Sequence, residues 1–400
     1  MRRTPRLLIA IVFLTALTLG IIFTIKYAKG YRPSLKNRAL EGTGLLAANS
    51  FPKGATVFIN DRLTTATDDT LNLPPGEYQV KIAKDGYIPW EKTLKLEPEL
   101  VTQTNTRLFP SVPNLKPLTF SGATNPIPSP DGEKIVFSVT DATTDTKNGL
   151  YVLDLLDRPF SLNSDPRQIS RTSTKYDLAQ AKLIWSPDSS QILATLNSGE
   201  INEINFLLYP NSFTDIADFK DVTARLPVIL KEWQDLQVKK FHEQLKTLPG
   251  PVQLIATASA KMVTFSPDEK KILFVATASA QLAENLIPSL PATSTQPETR
   301  QLEPGNYYIY DLEEDKNFLI SLFSQDAPVI WYPDSNHVIM VEEKKIIIAE
   351  YDSTNHHTVY AGPFANNFIF PWPNGSSLII LTSLNGGSQL PPNLYSINLK

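Results

Sequence analysis

"WSPDSSQILA" stands at Trp185–Ala194, and the fold turns on what it is. An aromatic residue is followed by Ser-Pro-Asp, three polar residues and an apolar run. Ser-Pro-Asp-Gly is good chemistry for a type I turn: serine at the first position, proline with its preset φ at the second, glycine at the fourth. The residue before the turn ends one strand, and the apolar run after it begins the next. The arrangement returns as "PSPDGEKIVF" (Pro128–Phe137), "FSPDEKKILF" (Phe265–Phe274), "WYPDSNHVIM" (Trp331–Met340) and "PWPNGSSLII" (Pro371–Ile380). Pro130, Pro187, Pro267, Pro333 and Pro373 are 57, 80, 66 and 40 residues apart. The shortest spacing is that of one four-stranded propeller blade, and the longer ones must hold inserts.

A further strand follows in each repeat: "GLYVLDL" (Gly149–Leu155), "EINEINFLL" (Glu200–Leu208), "NYYIYDL" (Asn306–Leu312), "KIIIAEY" (Lys345–Tyr351) and "NLYSINL" (Asn393–Leu399). Several are apolar on both faces, as expected of small sheets sandwiched between neighbours. The repeats resemble the PD40 repeats of TolB-like β-propellers, over about Leu115 to Lys400. Ser129-Pro-Asp-Gly132 is the full match. Ser189, Glu269 and Ser335 replace the glycine in three repeats, and the last reads Pro-Asn-Gly. Five units predict five blades, with six as the alternative. "PLTFSG" (Pro117–Gly122) is the expected source of the strand missing from the last blade.

Two inserts interrupt the repeats. In 226–248, Leu230, Trp233, Val238, Phe241, Leu245 and Leu248 fall at roughly helical spacing, with Pro227 in the first turn and Pro249-Gly250 beyond the end. Such a helix either docks on the propeller or serves as a partner-binding arm with Trp233 and Phe241 as anchors. The stretch 278–305 is rich in Pro, Ser and Thr and reads as an irregular loop.

Ahead of the propeller, "ATVFIN", "EYQVKI" and "KTLKLEP" alternate as half-buried strands. Pro52-Lys-Gly-Ala55, Leu73-Pro-Pro-Gly-Glu-Tyr78 and Lys84-Asp-Gly-Tyr87 punctuate them. Residues 42–110 resemble the PEGA domain, a small antiparallel β-sandwich. That resemblance implies an extracytoplasmic module contacting envelope material and carries over no catalytic residue. Gly54, Gly76 and Gly86 read as turn glycines, and Tyr78, Tyr87 and Trp90 as core.

Leu7–Ile25 is an uncharged apolar run, roughly 28 Å long as a helix and close to the hydrocarbon thickness of a bilayer. A cleaved signal peptide is its rival, but no small-x-small site follows. The expected plan is thus an all-β chain behind a single-pass anchor. Residues 1–6 form a cytoplasmic terminus, 7–25 a transmembrane helix in contact with the lipid bilayer, 26–41 a linker, 42–110 the sandwich and 115–400 the propeller. Arg2, Arg3 and Arg6 precede the span, while Lys26, Lys29, Arg32, Lys36 and Arg38 follow it. Charge alone favours the opposite orientation. An extracytoplasmic bulk is what the family resemblance implies.

The sequence also excludes chemistry. There is no cysteine, hence no disulfide, no thiolate metal site and no thiol catalysis. A net charge of -4 speaks against nucleic acid. No Gly-x-Ser-x-Gly elbow, P-loop or dinucleotide turn occurs. His356 and His357 are adjacent and should point apart. Asp141 and Asp145 match no calcium loop. Asp131, Asp188, Asp268 and Asp334 fit their own turns. Asn374-Gly-Ser376 is a sequon overlapping a turn. No catalytic residue, cofactor site or metal site is therefore expected. The leading expectation is a non-enzymatic envelope scaffold that binds a protein or a cell-envelope polymer. The alternative is a small-molecule sensor or enzyme using the central funnel, which "AKLIW", "AKMVTF" and "APVIW" would line with few ionisable groups.

Overall fold

The computed structural model describes residues 4–28, 30–34, 39–140, 142–156, 165–197, 203–288, 294–320, 328–384 and 391–400. Of the residues singled out above, Arg2, Arg3, Lys29, Lys36, Arg38 and Asp141 lie outside the described residues. The chain divides into two units: Met1–Phe109 with Pro288–Glu298, and Pro110–Ile287 with Thr299–Lys400.

The first unit opens with helix α1, Thr4–Ala28. Its apolar side chains from Ile9 onward are exposed on all sides, and the helix is long and apolar enough to cross a membrane. Its threonines bond inside the helix: Thr15, Thr18 and Thr24 donate to the carbonyls of Ile11, Leu14 and Gly20, which removes polar groups that hydrocarbon cannot solvate. The helix ends where Gly30 turns left-handed (φ +93°). The Gly30 amide donates to the Tyr27 carbonyl and the Tyr31 amide to the Lys26 carbonyl, at 3.1 and 3.0 Å. That is the paired bonding of a Schellman cap. The stretch read as a linker is partly folded: Arg32–Ser34 pairs with Ala39–Glu41.

The sandwich follows. One sheet runs in the order Arg62–Ala66, Thr56–Ile59, Gly76–Ala83, Trp90–Leu96, all antiparallel. A second runs Val101–Gln103, Gly44–Ala48, Asp69–Leu73. Here the expectation of a wholly antiparallel module needs correcting, because Val101–Gln103 lies parallel to Gly44–Ala48, and Thr106–Arg107 parallel to Ser50–Phe51. After its last hairpin strand the chain crosses to the other sheet and runs beside the first strand in the same direction. The period-two pattern places Leu46, Val57, Val80, Ile82, Trp90 and Leu96 in one core. Tyr78 and Tyr87 pack half-buried against it.

Among the described residues, the second unit is built from five sheets of three or four strands and one two-stranded ribbon, in which Ala280–Gln281 pairs with Gln301–Leu302 at the root of the otherwise irregular 278–305 insert. Sheet one comprises Thr124–Pro128, Lys134–Val139, Gly149–Asp154 and Arg167–Arg171. Sheet two comprises Lys182–Trp185, Ile192–Asn197 and Glu203–Leu208; its fourth strand shrinks to a bridge between Phe206 and Asp221. Sheet three comprises Ala260–Phe265, Lys271–Ala276, Tyr307–Asp311 and Lys316–Ile320. Sheet four comprises Val329–Trp331, His337–Glu342, Lys345–Glu350 and His357–Ala361. In sheet five, Ile369–Pro371, Ser377–Thr382 and Asn393–Asn398 are completed by Asn114–Pro117, with Leu115 opposite Ile397.

The ring is therefore closed from the front of the domain, but by a strand earlier than Pro117–Gly122. From Pro117 the chain must still cross sheet five to begin sheet one at Thr124. Leu118–Gly122 makes that crossing, with the Leu118 amide on the Leu394 carbonyl and a left-handed Gly122.

Neighbouring sheets share cores. Val136 and Ile169 meet Leu183 and Trp185 between sheets one and two. Leu273 and Ile309 meet Val338 and Met340 between three and four. Ile379 and Leu394 meet Ile135 and Phe137 between five and one. Between four and five, the Tyr332 hydroxyl donates to the Gly375 carbonyl. The Trp185 indole donates to the Ile127 carbonyl and the Trp331 indole to the Thr264 carbonyl, at 3.1 and 3.2 Å. These bonds tie first strands of adjacent sheets to one another, so the first strands converge on the axis. Burial agrees: second strands such as Lys271–Ala276 are buried throughout, while first strands keep exposed positions. The five sheets form a β-propeller.

Sheets two and three are joined differently. Helix α2, Leu226–Leu245, stands at this seam. Ile229 and Trp233 bury against Leu193 of sheet two. Leu245 and Leu248, with Phe241 beside them, pack against Ile272, Phe274, Tyr308 and Tyr310 of sheet three. At about 100° per residue, Trp233 and Leu245 are about 120° apart around the helix. The buried face therefore swings from one side to the other along its length. Leu230 and Val238, expected in the apolar stripe, are instead exposed (41% and 51%), and Ile229 takes the buried place.

Candidate functional site

The five turns share one geometry. Residue one donates its amide to the carbonyl five residues on, and the fourth residue's amide returns to residue one, as in Ser186 N–H to Gln191 and Ser189 N–H to Ser186. Ser129, Ser186 and Ser266 donate their hydroxyls to Asp131, Asp188 and Asp268. Each of these aspartates also accepts the amide two residues on, Glu133, Ser190 or Lys270, and Asp334 accepts that of Asn336. At Asp188 the Ser186 and then Ser190 hydroxyls hold the carboxyl below the usual aspartate value. At Asp131 and Asp268 burial works upward, but the bonds from Ser129 and Ser266, the local amides and a nearby lysine outweigh it, and both carboxyls are held below the usual aspartate value. Each of these carboxylates is bonded inside its own turn, as the sequence indicated. Asn374 does the same through Oδ1, which accepts the Ser376 amide at 2.7 Å.

All five fourth positions are left-handed: Gly132, Ser189, Glu269, Ser335 and Gly375 have φ between 59° and 75°. Three side chains thus accept a conformation that favours glycine. Two have a visible reason. Ser189 Oγ accepts the Asp131 amide of the preceding blade at 3.1 Å, and Ser335 Oγ accepts the Asp268 amide at 3.0 Å. The residues that break the motif are latches between blades. Glu269 instead takes a bond from Gln244 on α2 at 2.8 Å.

The axial lining carries Lys182, Ile184, Lys261, Met262 and Thr264 as exposed positions of first strands. Two lysines on adjacent blades are its charged groups among the described strand residues. Buried polar groups elsewhere join strands. Lys271, opposite Asp311 in the register, lies 3.6 Å from its carboxylate and 4.5 Å from the Tyr351 ring centroid of the next sheet. Burial, then the surrounding carboxylates, pushes the Tyr351 hydroxyl far up. Arg300 pairs with Asp315 at 3.1 Å, and the Tyr310 hydroxyl donates to the same carboxylate at 2.6 Å, which pins the root of the 278–305 insert. His337 Nδ1 meets Asp334 Oδ2 at 2.9 Å. His357 is pushed down to about 4 by burial and then by His337. None of these was legible as a site. Lys271 opens a strand in "EKKILF" and reads there as a solvated charge.

Trp233 and Phe241 both pack toward the propeller. The outward side of α2 holds Leu236, Lys239, Lys240, Glu243 and Gln244, which with Thr247 just past its end and Glu269 line a cleft of about 430 Å³. Asp145 is exposed at the start of a one-turn 3-10 helix, and His356 is exposed with Nε2 3.1 Å from the Ser353 carbonyl. Among the described residues, no group of three His, Cys, Asp or Glu side chains is placed to hold a metal ion.

Among solved structures, the chain is similar to a putative TolB from Agrobacterium tumefaciens (12% identity, 69% of this chain, 78% of that one, TM-score 0.23). It is also similar to TolB from Acinetobacter baumannii (12%, 80% and 60%, TM-score 0.24) and to Kuenenia stuttgartiensis hydrazine synthase (11%, 89% and 95%, TM-score 0.20). No curated protein matches the chain. One family model does match, at the segment whose turns and alternating strands the structure resolves as a sandwich: residues 43–111 are similar to the PEGA domain.

Proposed function

We propose that this chain is a single-pass, membrane-anchored envelope protein with its N-terminus cytoplasmic and its bulk extracytoplasmic, acting as a non-enzymatic scaffold. The supporting observation is how the propeller uses its polar groups. Among the described residues, the turn aspartates, Lys271, Arg300 and His337 are bonded within or between blades. What is left outward is a broad surface that includes the cleft along α2, suited to a protein or envelope polymer. Lys182 and Lys261 on the axis favour the second reading, a funnel that binds a small anionic molecule.

The anchor is tested in native membranes. Carbonate washing should leave a protein that begins at or near Met1 in the pellet. A soluble form starting after residue 25 would refute it. Protease added to spheroplasts should remove residues 42–400, whereas full protection would place them in the cytoplasm. The scaffold is tested by crosslinking and pull-down from the same membranes. Recovery of a defined protein or polymer supports it. Binding of a small anion that is lost on Lys182→Ala with Lys261→Ala, with no macromolecule recovered, would favour the funnel.

A further inference from the structure

We propose that the Pro98–Glu99 corner of the PEGA domain rests in the lipid headgroup layer, held there by a clamp at the end of α1. This rests on the anchor reading above and adds a specific partner, the bilayer surface itself.

The apolar span covers Ile9–Ala28. Its last turns carry Phe23 stacked on Tyr27, with ring centroids 6.3 Å apart and both rings exposed. Aromatic residues at that position mark the membrane–water boundary. The chain then does not trail into solvent. The Schellman cap reverses it at Gly30, and the folded domain captures it at once. The Thr43 hydroxyl donates to the Gly30 carbonyl. The Tyr31 hydroxyl donates to Glu99 at 2.8 Å. Lys26, still on the helix, lies 4.9 Å from the Tyr31 ring centroid. A side chain at Gly42 would touch both Pro98 and Tyr31, so that ring sits directly on the corner.

Distance decides the placement. Tyr31 is three residues beyond Ala28, and three residues reach at most about 11 Å even when extended. A Schellman turn covers less. The headgroup layer is roughly 5–7 Å thick on each side of the hydrocarbon. A residue bonded to Tyr31 is therefore in or beside that layer. Gly30 is buried, and a Cβ there would come within 3.1 Å of the Thr43 hydroxyl in a backbone conformation that L side chains rarely adopt. The cap and the clamp thus depend on the same glycine.

The absence of cysteine allows single-cysteine labelling of the full chain. Pro98→Cys places a spin label at the corner. Asp85→Cys places one at the opposite end of the hairpin, beyond a register that runs from Gly76↔Leu96 to Ile82↔Trp90, about 20 Å of strand. Both proteins are reconstituted in phosphatidylcholine–phosphatidylglycerol vesicles that contain a nickel-chelating lipid. The expected result is several-fold stronger relaxation of the label at 98 than at 85. Tyr31→Phe and, separately, Gly30→Ala on the Pro98→Cys background should abolish the difference. Equal relaxation at both sites in protein that still floats with the vesicles overturns the headgroup seat while leaving the anchor intact. So does a difference that both variants leave unchanged. Protein that fails to float overturns the anchor and the seat together.

Discussion

Two seams of the propeller solve the same problem by different means. Between sheets three and four, strand faces meet directly: Leu273 and Ile309 lie against Val338 and Met340, Lys271 reaches Tyr351, and Ser335 takes the Asp268 amide. Between sheets two and three, α2 presents Trp233 to one side and Leu245 to the other. The direct seam repeats the turn motif and adds polar latches. The wedged seam rests on a few large apolar side chains and one exposed amide–carboxylate bond, Gln244 to Glu269. A repeat fold can thus absorb an insertion at a blade boundary, provided the insert buries apolar surface on both neighbours.

The largest expected effect belongs to neither seam but to the closure both depend on. Removing Asn393–Lys400 takes one strand from sheet five and bares the edges of Ser377–Thr382 and Asn114–Pro117. Exposed edges invite aggregation, so the truncated chain should elute as aggregate in size-exclusion chromatography. A monomer that melts like the full chain would sink the closure.

Next comes the wedge. Trp233→Ala should cost about 3 kcal/mol or more, read by urea unfolding of the propeller. Phe241→Ala, which is only half-buried, should cost less. If stability is unchanged while a co-purifying protein is lost, α2 is a partner arm and the wedge account fails.

At the direct seams, Ser335→Ala, Ser189→Ala and Tyr332→Phe should each cost about 1 kcal/mol, the usual net value of one hydrogen bond. Gln244→Ala, across the wedged seam, should cost nearly nothing because its bond is exposed. Equal losses at both seams would erase the distinction between them. Glycine substitutions sharpen it further. Glu269→Gly relieves a left-handed glutamate and should gain up to about 1 kcal/mol. Ser189→Gly and Ser335→Gly relieve the same strain but lose a latch, so their melting temperatures should barely move.

The smallest effect is a pH dependence. Asp131, Asp188 and Asp268 are held below the usual aspartate value in the folded chain. The folded state therefore takes up these protons less readily than the unfolded chain does. The stabilisation is complete above about pH 4 and is lost as pH falls through the lower folded values. Asp188→Asn should make unfolding less acid-dependent, as the turn at Asn374 already is. An unchanged acid midpoint would deny the turns this role.

How far the sequence shows all this differs between the two seams. The turn motif announced the sheets because its chemistry is local: proline, aspartate and the following apolar run need only their neighbours. The latches were hidden because Ser189 and Ser335 look like a decayed glycine until the preceding blade is in place. The wedge was legible as a helix but not as a wedge. Its buried face rotates along its length, and a single stripe drawn through Leu230 and Val238 therefore selected two exposed residues. One polar pattern was present and overlooked. The acids ending "GLYVLD", "NYYIYD" and "KIIIAE" stand opposite the first residues of second strands, Lys134, Lys271 and His337. A charge repeated at one place in successive repeats predicts a partner across the strand. In the first unit, alternation identified the core strands. The parallel pairing of Val101–Gln103 depends on a crossover that no local pattern records.

The pairing of Leu115 with Ile397 also sets a schedule for biosynthesis. Some 280 residues must be made after the closing strand before its partner exists. At 5–20 residues per second that takes about 14–56 s. Throughout that interval the first strand of the propeller waits without its sheet, and each completed blade offers one open face to the surroundings. A ring closed this way cannot finish folding as it is synthesised. Its first strand stays unpaired until Asn393–Asn398 has been made, and any slowing of synthesis lengthens the exposure in proportion.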